Sequence, residues 1–506
     1  MRLLSTSLGA WDSISRDTAG EHGITFPLAL VHAAIRAAGY PIPVCAEGPG
    51  APSPGGRWDV ILISALDSRH YWLVPDFLRR WGLAPLACDR KEGDPIVILG
   101  GQAAYNPAPI EQIADVVFVG EVEGGIGPVL AALDGRGRAA ALERIAALPW
   151  CRVAAVQPTG HPIVARYAED IGASLREHLQ VNLRPIHRIE IARGCKGQSA
   201  RASEKGTAAC GFCSLGWRTP YRENSAADIG AALDGAGVTE IHLSAGDAEG
   251  HSEIGAIRAT ADRLGLRDHG WTGRLDTVDD CHVSAGKLFA VGLEGASWRL
   301  RRAVGKGRLT DDYVVGRIGE YWAAGGRRLM LHFIGGLPGE CEADYGELDD
   351  LFGRLCRVAG RHQRPGVDVG RQPFGPLPHT PMQWFAPGLT TAGIGRVFDR
   401  WAQRPEWHLQ HKSGQSYRAA LSAAVAMRGG AEITPLLLAG MPRLPDGRGA
   451  RRALERALGQ YGLDAGHYLG AWEIGAATPW ANVRTHHSDH VEAAAHRIAR
   501  MLELVP

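Results

Sequence analysis

The chain has 506 residues, a formal net charge of +1 and 45% apolar residues. That length exceeds what one hydrophobic core supports and predicts two or three domains. The near-neutral balance excludes a protein built to coat nucleic acid or to be held electrostatically on a membrane, and the nine cysteines lack the regular spacing of a secreted disulfide framework.

The opening "MRLLSTSLGAWDSIS" has no charged segment leading into an apolar core and a small-residue cleavage site, so no signal peptide is expected. No apolar run reaches membrane-spanning length. The expectation is a cytoplasmic protein with no membrane partner and no indicated nucleic-acid partner. The excess of arginine over lysine reads as the composition of a GC-rich genome rather than a phosphate-reading surface.

Residues 1–150 read as α/β. "RWDVILISAL" (57–66), "DPIVILGGQAAYNP" (94–107) and "IADVVFVGEVEGG" (113–125) are short β-rich apolar runs that end in small residues. Helical patterns lie around them at "ITFPLALVHAAIRAAGY" (24–40) and "YWLVPDFLRRWGL" (71–83). Alternating strands and amphipathic helices predict a doubly wound, Rossmann-like parallel sheet. Ser64, Gly100, Gly101 and Gly120 fall at the strand ends, where open α/β sheets bind ligands and where glycine lets backbone come close. For any one glycine, a tight turn is the competing explanation.

Residues 151–185 read as a connector. A second series then begins with "RPIHRIEIARGC" (184–195) and continues through "GVTEIHLSAGD" (237–247), "GWTGRLDTVD" (270–279), "KLFAVGLEGAS" (287–297), "RRLMLHFIGGLPGE" (327–340) and "PGVDVGRQPFGPLPHTP" (365–381). About six βα units in succession predict a full or partial (β/α)6 TIM-type barrel over 186–385. Residues 386–506 read as a mostly helical C-terminal region, clearest at "YRAALSAAVAMR" and "GARRALERALGQYGL".

Cys195, Cys210 and Cys213 gather in "IARGCKGQSARASEKGTAACGFCSLGW" (191–217), directly after the first strand of the second series. Three thiolates hold zinc if a histidine completes the tetrahedron. They also hold an iron–sulfur cluster, and a four-iron cluster with three protein ligands leaves one iron open to a small molecule. A third reading is unrelated thiols. The six remaining cysteines, including Cys281, read as small core residues. In "THHSDHVE" (485–492), Ser488 or Asp489 is expected to cap the last helix.

With these residues in view, the sequence resembles the radical S-adenosylmethionine (radical SAM) enzymes. "RGC…CGFC" following "IEIA", and then "WRTPYRENS", are similar to that family's opening, with Phe212 as the aromatic before the last cysteine. "GLEGASWRLRRAVGKG", "LHFIGGLPGECEADY" and "PFGPLPHTPMQW" are similar to its later strand regions. "DVILISA" and "VILGGQAAYNPAPIEQIADVVFVGEVEG" resemble the cobalamin (B12)-binding domain often placed ahead of it.

The resemblance implies a [4Fe-4S] cluster on Cys195, Cys210 and Cys213, with S-adenosylmethionine at the open iron and reductive cleavage of its carbon–sulfur bond. It implies Phe212 beside the adenine, Ser244 and Asp247 near the methionine amine, and Asp276 and Glu294 toward ribose hydroxyls or the amine. It places Gly336 and Glu340 in an adenine-binding loop. It further implies cobalamin, an external reductant such as flavodoxin or ferredoxin, and methyl transfer to an unactivated carbon of an unidentified substrate. The departures are fourteen residues between Cys195 and Cys210, where the family usually has three, and "DSRH" (67–70), whose His70 lacks the spacing of a cobalamin axial ligand. The alternatives are a radical SAM oxidoreductase or rearrangement enzyme without methyl transfer, and a zinc-stabilised α/β binding protein.

Overall fold

A computed structural model describes residues 1–8, 26–45, 57–172, 175, 186–198, 209–234, 237–268, 270–276, 288–362, 364–412, 416–445, 447 and 449–504. The chain forms two compact units. The first comprises Met1–Arg188, Ser422–Tyr468 and Ala477–His486, and the second Ile189–Leu421, Leu469–Ala476 and His487–Pro506. The stretch 386–506, expected as one helical region, contributes to both units.

The first unit is built on a six-stranded sheet of β1 (Leu3–Ser7), β2 (Val44–Cys45), β3 (Val60–Ser64), β4 (Ile96–Gly100), β5 (Val116–Phe118) and β6 (Cys151–Arg152), in the order β2-β1-β3-β4-β5-β6. The first five strands are parallel, and β6 pairs antiparallel with β5. The parallel part follows one of the two common doubly wound orders. The valine and isoleucine runs at 60–64 and 96–100 exist because strands covered on both faces must be apolar throughout. Leu3, Val60, Ile98 and Phe118 bury against Ile126, Val129, Leu142 and Ile145 of the flanking helices.

Beside β4, Asp115 is 1% exposed at its side chain and ion-paired with Arg90 at 2.8 Å and with Arg138. Its second acceptor role is to the Val97 N–H at 2.8 Å. Such a buried set depends on every member being satisfied.

β7 (Ile163–Val164) belongs to the first unit and β8 (Ile186–Glu190) runs from the last residues of its opening segment into the second; the further described strands of the second unit are β9 (Ala192–Arg193), β10 (Arg222–Glu223), β11 (Glu240–Ser244), β12 (Arg267–Asp268), β13 (Gly270–Gly273), β14 (Leu288–Glu294), β15 (Arg328–Gly335), β16 (Gly366–Pro373) and β17 (His408–Lys412). β13 to β17 form a sheet in chain order with every pair parallel. A three-stranded sheet has the order β12-β11-β8.

Period-two patterning sorts β15: Leu329, Leu331 and Phe333 are buried, while Met330, His332 and Ile334 are half-buried on the other face. Phe333 stacks with Phe398 at 5.4 Å, Phe398 with Phe352 at 4.9 Å, and Phe352 with Trp407 at 5.8 Å between ring centroids. These tilted and edge contacts pin the helices Glu342–Ala359 and Ala392–Trp401 to that sheet face.

Several expectations are corrected. Of the cysteines read as core residues, Cys151 and Cys356 are buried and Cys45 is half-buried, but Cys88 and Cys341 are exposed. Cys341 is the N-cap of the helix Glu342–Ala359, paired with Asp344 in a capping box. Cys281 and residues 199–208 of the insert lie outside the described residues. The last helix, Val491–Met501, has His490 at its N-cap and no side-chain cap bond, so neither Ser488 nor Asp489 performs that role.

Candidate functional site

The cysteine loop is closed at its base. β9 and β10 pair antiparallel with Arg222 opposite Arg193, so the chain leaves after Arg193 and returns beside it at Arg222. Closure requires glycine at 194: its φ is +83° and an added Cβ would sit 2.7 Å from the Pro220 carbonyl oxygen. Arg193 forks the carboxylate of Glu190 at 2.9 and 2.6 Å, fixing the strand that feeds the loop.

Within the loop the Cys213 N–H donates to the Cys210 carbonyl at 3.0 Å, and Trp217 Nε1 donates to the same oxygen at 3.0 Å. These bonds hold the C-x-x-C turn around Gly211 and Phe212. The Gly211 N–H donates to Val304 at 3.1 Å and its carbonyl accepts from Met382 at 3.1 Å. An added Cβ on Gly246 would lie 2.9 Å from the Gly194 carbonyl oxygen. The loops after β11 and β14, and the segment after β16, therefore all meet the cysteine loop.

The three thiols share one electrostatic environment. Burial pushes Cys195 up to about 11, with the Cys210 charge adding to it. Burial pushes Cys213 up to about 12, with Cys210 and Cys195 adding to it. Thiols this reluctant to ionise alone are deprotonated by a bound metal, which supplies the missing positive charge. Among the described residues, no three His, Cys, Asp or Glu side chains are close enough to hold one metal ion in common. Three cysteines within one segment are a donor set whose chemistry fits a multi-iron cluster, whose ligands bind separate irons.

Charged side chains ring the trio. Arg274 Nη1 donates to Cys210 Sγ at 3.3 Å. Its Nε and Nη2 donate to the two oxygens of Asp276, each at 3.0 Å, and Nη2 also reaches the Gly305 carbonyl at 3.0 Å. Burial alone would raise Asp276, but the Arg274 fork holds its carboxyl below the usual range. Asp276, expected toward ribose hydroxyls or the amine, is ion-paired with Arg274.

Asp247 is 2% exposed and its Oδ1 accepts from the N–H groups of Arg274 at 3.1 Å and Gly250 at 3.3 Å. Ser244, half-buried at the end of β11, accepts at its carbonyl from Ile191 at 3.0 Å. Phe212 is half-buried between the cysteines.

Glu294 sits at a register shift in β14 with φ +66°, a left-handed conformation rare for a residue with a side chain. Lys306 holds it at 3.0 Å and donates to the Gly292 carbonyl at 2.5 Å. Lys306 is buried, which by itself would lower its proton affinity; the Glu294 charge reverses that and raises it. Arg274 and Lys306 were not among the residues expected from sequence. Their signals were an arginine two positions before Asp276 and a lysine between Gly305 and Gly307, neither of which points to cysteines far along the chain.

Gly336 has φ +72°, and its Cα faces Gly388: an added Cβ would lie 2.8 Å from the Gly388 Cα. Its N–H donates to Glu340 Oε2. Burial pushes the Glu340 carboxyl up to about 7, against the Gly336 N–H, which pulls it down.

In the first unit the strand-end glycines meet the protein's own chain. Gly101, φ +101°, would place a Cβ 2.5 Å from the Ala65 carbonyl oxygen. Gly120, φ +126°, would place one against the Arg166 carbonyl. Gly100 pairs with Ser64 in the β3–β4 ladder. Asn106, following β4, donates to the Met427 and Gly429 carbonyls at 3.3 and 2.9 Å, and Tyr71 donates to Ala103 at 2.6 Å. His70 is 1% exposed and its Nδ1 accepts from the Leu66 N–H at 3.1 Å. Close approach to their own backbone accounts for glycine at 101 and 120, and His70, not expected as an axial ligand, braces its own turn.

Residues 52–153 match a family model described as the N-terminal region of radical SAM proteins. A curated protein of Xanthomonas campestris pv. campestris, "Probable lipid kinase YegS-like", is 37% identical over 94 residues, covering 16% of this chain and 30% of that protein. The chain therefore spans less than a third of that relative. Among solved structures, a radical SAM methyltransferase from Sphaerobacter thermophilus aligns with TM-score 0.31 and 16% identity over 46% of this chain and 67% of that one. Streptococcus suis SuiB aligns with TM-score 0.29 and 12% identity over 41% and 46%. Neither structural likeness is close enough to argue from. No described helix is long and apolar enough to cross a membrane.

Proposed function

We propose that this chain is a radical SAM enzyme whose cluster is held by Cys195, Cys210 and Cys213. The observation that carries the reading is that β9 and β10 bring the two ends of the cysteine segment together, and that the half-buried thiols of Cys195, Cys210 and Cys213 are near enough to act on one another electrostatically, with Arg274 donating to Cys210. The match of residues 52–153 to the radical SAM N-terminal family supports it. When bound, the cluster supplies an electron and an open iron for reductive cleavage of S-adenosylmethionine.

The chain's own residues supply placement. Gly194 and Gly246 let two loops approach closely enough to seat the cysteines. Asp247 ties the loop after β11 to Arg274. Glu294, held in its rare conformation by Lys306, presents a carboxylate at the end of β14, suited to a hydroxyl or ammonium group. Phe212 offers an aromatic face next to the last cysteine.

Methyl transfer to an unactivated carbon is the outcome that bound cobalamin would add. Because Gly101, Gly120 and His70 face their own chain, we favour the reading in which S-adenosylmethionine cleavage leads to oxidation or rearrangement of substrate. Anaerobic incubation of reconstituted protein with S-adenosylmethionine and a strong reductant tests both. 5′-Deoxyadenosine alone supports this reading, and S-adenosylhomocysteine would restore methyl transfer. If neither forms, or if Cys213→Ala keeps full iron content, the proposal fails.

A further inference from the structure

Arg274 has no part in the cleavage as set out above, yet its side chain touches a cluster cysteine. We propose that Arg274, oriented by Asp276, raises the reduction potential of the cluster held by the three cysteines. The inference rests on the cluster reading of the site.

The guanidinium is fixed on three sides. Asp276 takes Nε and Nη2 at 3.0 Å each, and Gly305 takes Nη2 at 3.0 Å. The Arg274 backbone N–H is itself held by Asp247 at 3.1 Å. Nη1 donates to Cys210 Sγ at 3.3 Å. The Arg274 side chain is 7% exposed and that of Asp276 is 0% exposed, so water screens neither. A two-point fork of this kind sets direction as well as distance.

The pair is neutral in sum but oriented: its positive end faces Cys210 and its negative end faces away. Gaining an electron makes a cluster more negative, so an N–H donor and positive charge at a ligand sulfur favour the reduced form. Lys306, also buried, is near enough for its charge to act on Cys210, but its hydrogen bonds go to Glu294 and the Gly292 carbonyl. Arg274, bonded directly to a ligand sulfur, is therefore positioned to tune the electron affinity of the site.

The sign of two substitutions separates this role from simple scaffolding. Arg274→Met removes the positive end and should lower the midpoint potential, shifting the one-electron equilibrium about tenfold, or about 59 mV. Asp276→Asn removes the balancing charge while leaving Arg274 in place, and should raise it. Reconstituted full-length protein is titrated anaerobically with redox mediators and the reduced cluster is read by electron paramagnetic resonance, with iron content measured alongside. Opposite shifts at wild-type iron content support the proposal. Unchanged potentials, or shifts of the same sign, overturn it. If Arg274→Met fails to assemble a cluster, Asp276→Asn decides: an upward shift supports the proposal, and no shift or a downward one overturns it. A wild-type protein without a reducible cluster would sink the cluster reading itself, which this titration shows before any variant is compared.

Discussion

Replacing Glu340 by glutamine tests whether the loop after β15 holds a carboxyl that stays protonated close to neutral pH. Burial is the dominant cause of its rise from 4.5 to about 7, with the Asp344 charge adding to it and the Gly336 N–H opposing it. At 1.36 kcal/mol per pH unit the difference comes to roughly 3 kcal/mol. The folded carboxyl binds its proton more tightly than the unfolded one. Its contribution is therefore fully present below about pH 4.5 and is lost as pH rises through about 7. Glutamine keeps the shape, can still accept from Gly336, and cannot ionise. The wild type should lose roughly 3 kcal/mol between about pH 5 and 8 that Glu340→Gln retains. Infrared difference spectra, wild type minus variant, report the local event: a protonated carboxyl band at pH 6 that fades with a midpoint near 7. Thermal unfolding at both pH limits reports the energetic one. Absence of the band, or thermal profiles that run parallel in the two proteins, would refute the reasoning.

Three further outcomes are expected. Asp115→Ala strands Arg90 in a site where its partner carboxylate is 1% exposed, and should cost roughly 3–5 kcal/mol in denaturant titration. Gly120→Ala combines φ +126° with a clash against the Arg166 carbonyl; it should destabilise the first unit by roughly 2–4 kcal/mol, read as a fall in its unfolding midpoint. Gly211→Ala would drive a methyl into Ile498 of the last helix. It should lower iron retention, and adding Ile498→Ala should restore it; failure of that rescue would count against the contact.

The strands that sequence predicted well are those whose environment admits one composition. β3, β4 and β5 are apolar because the sheet buries them on both faces. β1 escaped notice because "LLSTS" mixes hydroxyls into a strand that is wholly buried between β2 and β3, and Ser5 bonds the His32 ring at 2.8 Å. β17, "HLQHK", is polar and earns its place by pairing with β16 at the sheet edge. Pairing partners decide such strands, and a local pattern carries no trace of them.

The same contrast applies at the site. Cys195, Cys210 and Cys213 stand out because thiols are scarce and clustered. Arg274 and Lys306 come from other loops and acquire their meaning only when the chain folds back. Gly101 and Gly120 were correctly placed at strand ends, but which neighbour required glycine, a ligand or the protein itself, depends on what lies across from them.

The order in which the chain visits its two units bears on how the protein is made. The first unit draws on Met1–Arg188 and then waits for Ser422–Tyr468 and Ala477–His486. Asn106 needs the carbonyls of Met427 and Gly429, and β7 needs its parallel partner Val483–Arg484. A ribosome must therefore deliver all of residues 189–421 before the first unit has its later segments, although its six-stranded sheet is complete by residue 152, and the final segment, His487–Pro506, belongs to the other unit again. A cut near residue 188 would part Met1–Arg188 from the two later segments of its own unit while leaving every segment of the second unit on one piece, so the first unit is the one that calls for the intact chain.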